Sequence, residues 1–261
     1  MDLRAIAETA SSIGGQIVRS ARSEVPSDEK GTGDYVTEVD RESERAIAAF
    51  LEERTGIPVV GEESGGGIHG TYWLVDPLDG TTNFIHGFPA VGVSVALIED
   101  GRPVAAAVHA PFLAQTWAAA RGGGAVHHRP DGSTVSLSVS ARPVERAIVG
   151  TGFPFRRKHA LPRYLASFQR ALERFEDLRR PGAASLDLAW VAAGVFEGFF
   201  ELGLAPWDVA AGGLLVEEAG GVVSDWIGGD AWLQGDILAG APAVHAELLR
   251  IASTGPEQPT A

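Results

Sequence analysis

The string Asp76-Pro77-Leu78-Asp79-Gly80-Thr81-Thr82-Asn83-Phe84 sets two carboxylates three positions apart, around a proline and just ahead of a glycine. Pro77 fixes one backbone dihedral and Gly80 permits a sharp turn, so the two carboxylates and the carbonyls between them can converge on one point. A cage of that kind offers oxygen donors alone. Oxygen donors suit hard cations, and magnesium in particular is held by a few carboxylates while it keeps waters and takes phosphate oxygens. The string also fits an aspartate-capped turn that holds nothing. Two further acids sit where chain elements change: Glu62 in Gly61-Glu62-Glu63 after an apolar run, and Asp208 after Trp207 at a helix start. Taken singly, Glu62 fits a solvated loop acid and Asp208 an ordinary helix-start acid.

The elements that must position these groups are legible in outline. Leu3, Ile6, Ala7, Ala10, Ile13, Gly14 and Ile17 recur at helical spacing and predict an opening amphipathic helix, followed by a polar stretch from Ser20 to Asp34. Thr37 and Asp40 read as a capping box for a second helix, whose stripe is Ile47, Phe50 and Leu51 and whose stop is Gly56. Ile57 to Val60 and Tyr72 to Val75 are short β-prone runs that each end in acids. From Ala90 to Ala120 the alternation of Val91, Val93, Val95 and Leu97, the turn Asp100-Gly101 and the return through Val104 to Val108 predict an antiparallel meander.

After Val135 to Val139 the pattern predicts strands at Ile148–Thr151, Phe196–Leu202, near Val222 and at Ile237–Ala239. Helices are expected over Leu161–Phe175, Leu186–Ala193, Trp207–Ala219 and Val244–Ile251, with a frayed tail from Thr254 to Ala261. No repeat or low-complexity linker interrupts the chain. Two packed halves are expected, 1–143 carrying most of the candidate ligands and 144–261 carrying Asp208, in layers of helix and sheet.

Composition narrows the function. The formal charge of −13, from 34 acidic and 21 basic residues, repels nucleic-acid phosphates and acidic membrane surfaces. An acidic protein that handles phosphate esters needs local positive charge, and a bound metal supplies it. The absence of cysteine excludes disulfides, thiolate metal sites and cysteine nucleophiles, and fits a reducing compartment. Met1 to Ile17 carries Asp2 and Glu8 and does not read as a signal peptide, and no run approaches the roughly 20 apolar residues of a membrane span, so a cytoplasmic protein is expected. His127-His128, beside Pro130 and Gly132, reads as part of a turn rather than a zinc site, and Gly122-Gly123-Gly124 lacks the lysine of a nucleotide-binding loop.

The 76–84 string, together with Gly61-Glu62-Glu63 and Trp207-Asp208-Val209-Ala210-Ala211-Gly212, resembles the inositol monophosphatase family over nearly the whole chain, and the bacterial members most closely. Thr151-Gly152-Phe153-Pro154-Phe155 and Gly198-Phe199-Phe200-Glu201-Leu202-Gly203 also look like family segments. The resemblance implies an α/β (α+β) fold, a layered αβαβα sandwich of the sugar-phosphatase type, in a homodimer with the metals where the halves meet. It implies that Glu62, Asp76 and the Leu78 carbonyl hold a first Mg²⁺ and that Asp76, Asp79 and Asp208 hold a second. A third, weaker ion would lean on Glu62 and water.

By the same resemblance Asp40 and Thr81 orient the attacking water, and an acid beside a hydroxyl suits that task, although the capping box alone also accounts for Asp40. Lys30 matches a family lysine near the metals, and equally fits a solvated lysine of the polar stretch Asp28 to Asp34. Substrate contacts are implied at Leu78, Asp79, Gly80, Thr81, Gly182, Ala183, Ala184, Glu201 and Asp208. Ala183 stands where the family often has a hydroxyl, and the bland alternative for Gly182–Ala184 is a small-residue helix start.

The expected activity is Mg²⁺-dependent, lithium-sensitive hydrolysis of a small phosphate monoester, first of all myo-inositol monophosphate, by a metal-activated water. Histidinol phosphate, fructose 1,6-bisphosphate and adenosine bisphosphates are alternatives on the same metal core. A reading of another class is a regulatory binding partner of a transcription complex. No direct nucleic-acid or membrane partner is expected.

Overall fold

The computed structural model describes residues 1–21, 27–31, 34–67, 70–155 and 157–253, and of residues 27–31 and 34–36 the main chain alone. The side chain of Lys30 and the tail Thr254–Ala261, both singled out above, lie outside the described residues. Helical spacing of small and apolar residues gives α1 (Leu3–Ser20), which buries Ile6, Ala7, Ala10, Gly14 and Val18. Asp2 caps it by accepting the Ala5 N–H at 3.1 Å. The main chain then forms an antiparallel hairpin, with β1 (Ser27–Gly31) inside the stretch whose polarity predicted no element and β2 (Asp34–Thr37) running from its end to the start of the next helix. The capping box of Thr37 and Asp40 is present at the start of α2 (Glu38–Thr55), and Gly56 closes that helix in the left-handed region at φ 68°.

Next, β3 (Val59–Gly61) pairs in parallel with β4 (Tyr72–Asp79). After the short helix α3 (Thr81–Ile85) the chain meanders antiparallel through β5 (Gly92–Glu99), β6 (Arg102–Ala110), β7 (Gln115–Ala120), β8 (Gly124–His128) and β9 (Thr134–Ser136), completing a seven-stranded sheet in sequence order. His127 and His128 therefore lie in β8 and not in a turn. His127 is registered opposite Trp117 with the rings stacked at 4.8 Å, a cross-strand pair that extends the meander past Ala120, and the turn falls just beyond, at Arg129–Ser133.

The rest of the chain supplies β10 (Ile148–Thr151), α4 (Leu161–Arg174), β11 (Asp177–Arg179), α5 (Ala184–Ala192), β12 (Gly198–Glu201), α6 (Pro206–Glu218), β13 (Val222–Ser224), β14 (Ile237–Gly240) and α7 (Pro242–Ser253). The second sheet has the order β11-β10-β12-β14-β13, with β10 parallel to both neighbours and the β12-β14-β13 end antiparallel.

Period-two alternation sorts these elements into layers. On β4 and β5, Trp73, Val75, Val93, Val95 and Leu97 pack with α1 and α2, whereas Tyr72, Leu74, Ala96 and Ile98 face the opposite way. Those residues meet α5 and α6, which also cover Phe199, Ile237 and Ala239 of the second sheet. The other face of that sheet, Phe200 and Leu238 among it, packs with Tyr164 and Ala171 of α4 and Val244 and Leu248 of α7. The order is helix, sheet, helix, sheet, helix: an αβαβα sandwich. Residue 143 lies between the two sheets in sequence, and the middle layer joins both halves in one core. Among the described residues no helix is long and apolar enough to cross a membrane.

Candidate metal centre and active site

The centre forms where β4 runs past its expected end. Pro77 has no N–H to give to the ladder. Pairing shifts there, so that Asp76 lies opposite Ser94 and Asp79 opposite Gly92, three steps on β4 against two on β5. That bulge turns both carboxylates toward the edge of the middle layer. Asp76 Oδ1 accepts the Leu78 N–H at 3.0 Å, which holds the turn from within. Gly80 follows at φ 92°, and a Cβ there would stand 2.9 Å from the Ala90 carbonyl, so conformation and space both require glycine. Asn83 then ties the string to the second half through its side-chain amide, which donates to Ala90 O at 2.7 Å and Pro181 O at 2.9 Å.

Asp208 arrives from the first turn of α6, where its carboxylate accepts the Ala205 N–H at 2.7 Å. Asp76, Asp79 and Asp208 each offer an oxygen within 4.8 Å of the others. At 1%, 9% and 7% exposure these groups are nearly out of water, which makes their ionised forms costly. Burial, followed by the charges of Glu62, Asp79 and Asp208, holds Asp76 well above the ordinary carboxylate range. Burial and Asp208 push Asp79 up to about 7, against two donors from Ser185, whose N–H and hydroxyl reach Asp79 Oδ2 at 2.7 and 2.5 Å. Oxygen donors this close, each raising the proton affinity of the next, fit a divalent hard cation, whose charge offsets the repulsion that protons otherwise relieve.

Glu62, Asp76, Leu78, Asp79, Gly80, Thr81, Gly182, Ala184, Glu201 and Asp208 line one cavity of about 470 Å³, together with Phe153, Phe155, Arg157 and Arg180. Asp40 lies behind that wall at 1% exposure. It serves two purposes: Oδ2 accepts the Thr37 N–H at 2.8 Å in the capping box, and Oδ1 accepts the Thr81 hydroxyl at 3.2 Å. The cap and the contact with Thr81 coexist because the carboxylate has two oxygens. Burial raises the pKa of Asp40 despite the bonds from Thr37 and Thr81. The Thr81 hydroxyl also lies 3.2 Å from the Leu78 carbonyl, so its one proton has two acceptors. Ala183 is buried against the Gly80 turn and is not part of the cavity wall.

Sequence reasoning passed over Ser185, Glu44 and Asp187. Ser185 follows three small residues whose pattern says only that a helix begins. Glu44 carried a signal, because it stands four residues after Asp40 and so on the same face of α2. Asp187 is fully buried in α5, with an Oδ1 that has no hydrogen-bond partner among the described residues. Burial, followed by Glu201 and Asp79, raises its pKa well above 3.8, with Arg180 opposing.

The sequence profile of the inositol monophosphatase family matches residues 2–256. A protein of Pseudomonas aeruginosa named Nus factor SuhB is 45% identical over 231 residues, which span 85% of this chain and 83% of that one. The crystal structure of extragenic suppressor protein suhB from Bartonella henselae superposes with a TM-score of 0.88 at 35% identity, over 96% of this chain and 98% of its own. The structure of inositol monophosphatase from Anabaena gives a TM-score of 0.84 at 32% identity, over 97% and 96%.

Proposed function

The chain belongs to the inositol monophosphatase family, and from that premise we propose that it hydrolyses a small phosphate monoester, myo-inositol monophosphate before others, in a Mg²⁺-dependent reaction. The observation that carries this reading is the convergence of Asp76, Asp79 and Asp208 on one buried point at the wall of a cavity large enough for a sugar phosphate. Those carboxylates, with Glu62 and the Leu78 carbonyl, would hold the ions. Bound there, Mg²⁺ supplies Lewis-acid stabilisation of charge on the phosphoryl oxygens and acidifies water.

The remaining work falls to side chains. Thr81 Oγ1 can accept a hydrogen bond from the attacking water while giving its own proton to Asp40 Oδ1, 3.2 Å away. Burial makes Asp40 a stronger base than an exposed aspartate, which suits it to take that proton. Glu201, on the cavity wall, offers a carboxylate to polyol hydroxyls. Histidinol phosphate, fructose 1,6-bisphosphate and adenosine bisphosphates would meet the same carboxylates, and the far wall of the cavity must discriminate among them.

The test is phosphate release from myo-inositol 1-phosphate and those alternatives, with Mg²⁺ and with a chelator. The expected outcome is turnover that needs Mg²⁺, disappears with the chelator, is inhibited by lithium and is fastest on the inositol ester. Full turnover in the chelated sample would overturn the reading. A second reading is favoured by the name Nus factor SuhB carried by a 45%-identical relative: the chain binds a transcription complex. An Asp76→Asn chain that still restores function in cells, without phosphatase activity, would favour this alternative.

A further inference from the structure

The buried face of α2 reaches further than the capping box. One turn beyond Asp40, Glu44 is 4% exposed, and both of its carboxylate oxygens are taken by main-chain donors. Oε2 accepts the Glu63 N–H at 2.8 Å and Oε1 the Ser64 N–H at 2.8 Å. The approach is close because residue 61 has no side chain, and a Cβ on Gly61 would stand 2.2 Å from the carboxyl carbon of Glu44 and 2.3 Å from Oε2.

Glu62 lies between that glycine and the first clamped amide. Its own N–H donates to Val75 O on β4 at 3.2 Å, and Gly61 and Gly65 close the turn with reciprocal bonds of 3.3 and 3.0 Å. Beside Glu44, the Ser43 hydroxyl donates to the Pro77 carbonyl at 3.0 Å, so the same helix face also holds the loop of Asp76 and Asp79.

We infer that Glu44 is a positioning residue for Glu62: its carboxylate fixes the backbone of residues 62–64 so that the Glu62 side chain is delivered to the metal centre already ordered. The inference rests on the proposed reading of Glu62 as a metal ligand. An acid on an unanchored loop would have to be ordered at the moment of binding, and the lost chain freedom would weaken the site. Two N–H groups on one carboxylate are charge-assisted bonds, stronger than neutral ones, and out of water they hold their geometry. The amide of Glu44→Gln keeps size and shape but turns one acceptor into a donor facing an N–H.

Mg²⁺ binding to the full chain without substrate, followed by titration calorimetry, tests this. Glu44→Gln is expected to bind Mg²⁺ about tenfold or more weakly, the usual cost of losing a partner that orients a ligand. Turnover at saturating Mg²⁺ should be retained while the Mg²⁺ concentration for half-maximal rate rises. Glu42→Gln, exposed on the same helix, should bind like the wild type. Gly61→Ala, which pushes the carboxylate off its amides, should reproduce the weakening and serves where Glu44→Gln does not fold. In a Glu62→Gln background, Glu44→Gln should add nothing, because both changes then act through a ligand already lost. Binding by Glu44→Gln and Gly61→Ala at wild-type affinity, or an equal further loss in the Glu62→Gln background, overturns the positioning role. A wild type that binds Mg²⁺ yet hydrolyses no ester sinks the phosphatase reading and leaves this inference standing.

Discussion

At the scale of the residue, the candidate site divides into groups whose chemistry is written in their spacing and groups whose chemistry exists only once the chain is folded. Asp76 and Asp79 could be picked out because a proline and a glycine frame them. Asp187 could not, since one acid in the apolar run Leu186 to Val191 looks like a solvated interruption, and only the packing of α5 against both sheets takes it out of water. Its pKa is raised from 3.8, so the unfolded chain releases the proton more readily than the folded one. Below about 3.8 both states hold the proton and nothing is lost, whereas stability falls as pH rises from there toward the folded-state value. Asp187→Asn removes that loss while keeping the shape. The variant should melt above the wild type at pH 7, by about 2–4 °C for each kcal/mol relieved, and the gap should close as pH is lowered toward 4. A gap independent of pH would show that folding does not raise the Asp187 pKa.

At the scale of the element, period and capping foretold most helices and the core of the meander: α1, α2 and α4 bury one face, and β5 alternates between two cores at period two. What period could not show was pairing without a hydrophobic signature: the hairpin β1–β2 is polar, and β11 is an edge strand of three residues, Asp177–Arg179, tied to β10 alone. The extension of β4 through Pro77 was equally hidden, since a proline reads as a stop when the bulge that accommodates it is not known. The middle layer depends on small residues that sequence alone leaves ambiguous. A Cβ on Gly212 of α6 would stand 2.4 Å from Leu188 Cβ on α5, so the two helices can approach only because that position is bare. Gly212→Ala should cost about 1–3 kcal/mol through overpacking, read as a lower denaturant midpoint at unchanged slope. Because Asp208 rides on the same helix, turnover per folded molecule should fall as well. Retained stability with retained turnover would mean that α5 and α6 can separate freely.

At the scale of the whole molecule, the large sheet and the middle helices meet where buried carboxylates are concentrated. Asp76 and Asp79 come from the large sheet, while Asp208 comes from the middle helices and is fixed only when α6 is packed. The layered order follows from alternation and was implied by family resemblance, but the order of strands in the second sheet was not, because parallel pairing of β10 with β11 and β12 joins residues remote in sequence. This arrangement makes metal binding a property of the folded chain alone: unfolded, the three carboxylates are separate and solvated. A ligand that binds only the folded state stabilises it, by about 2.7 kcal/mol at a hundred times its dissociation constant. For a chain of this size that is a rise in melting temperature of about 5–10 °C on adding Mg²⁺. The net charge of −13 means that any salt also screens self-repulsion, so the comparison must be made against NaCl of equal ionic strength. Asp208→Asn relieves repulsion without metal and removes a proposed ligand with it. Its metal-free melting point should therefore equal or exceed that of the wild type, while the Mg²⁺-induced rise shrinks to less than half. An equal rise in NaCl and MgCl₂ would overturn Mg²⁺ binding to the folded chain, and a full rise in the Asp208→Asn chain would separate Asp208 from the metal centre.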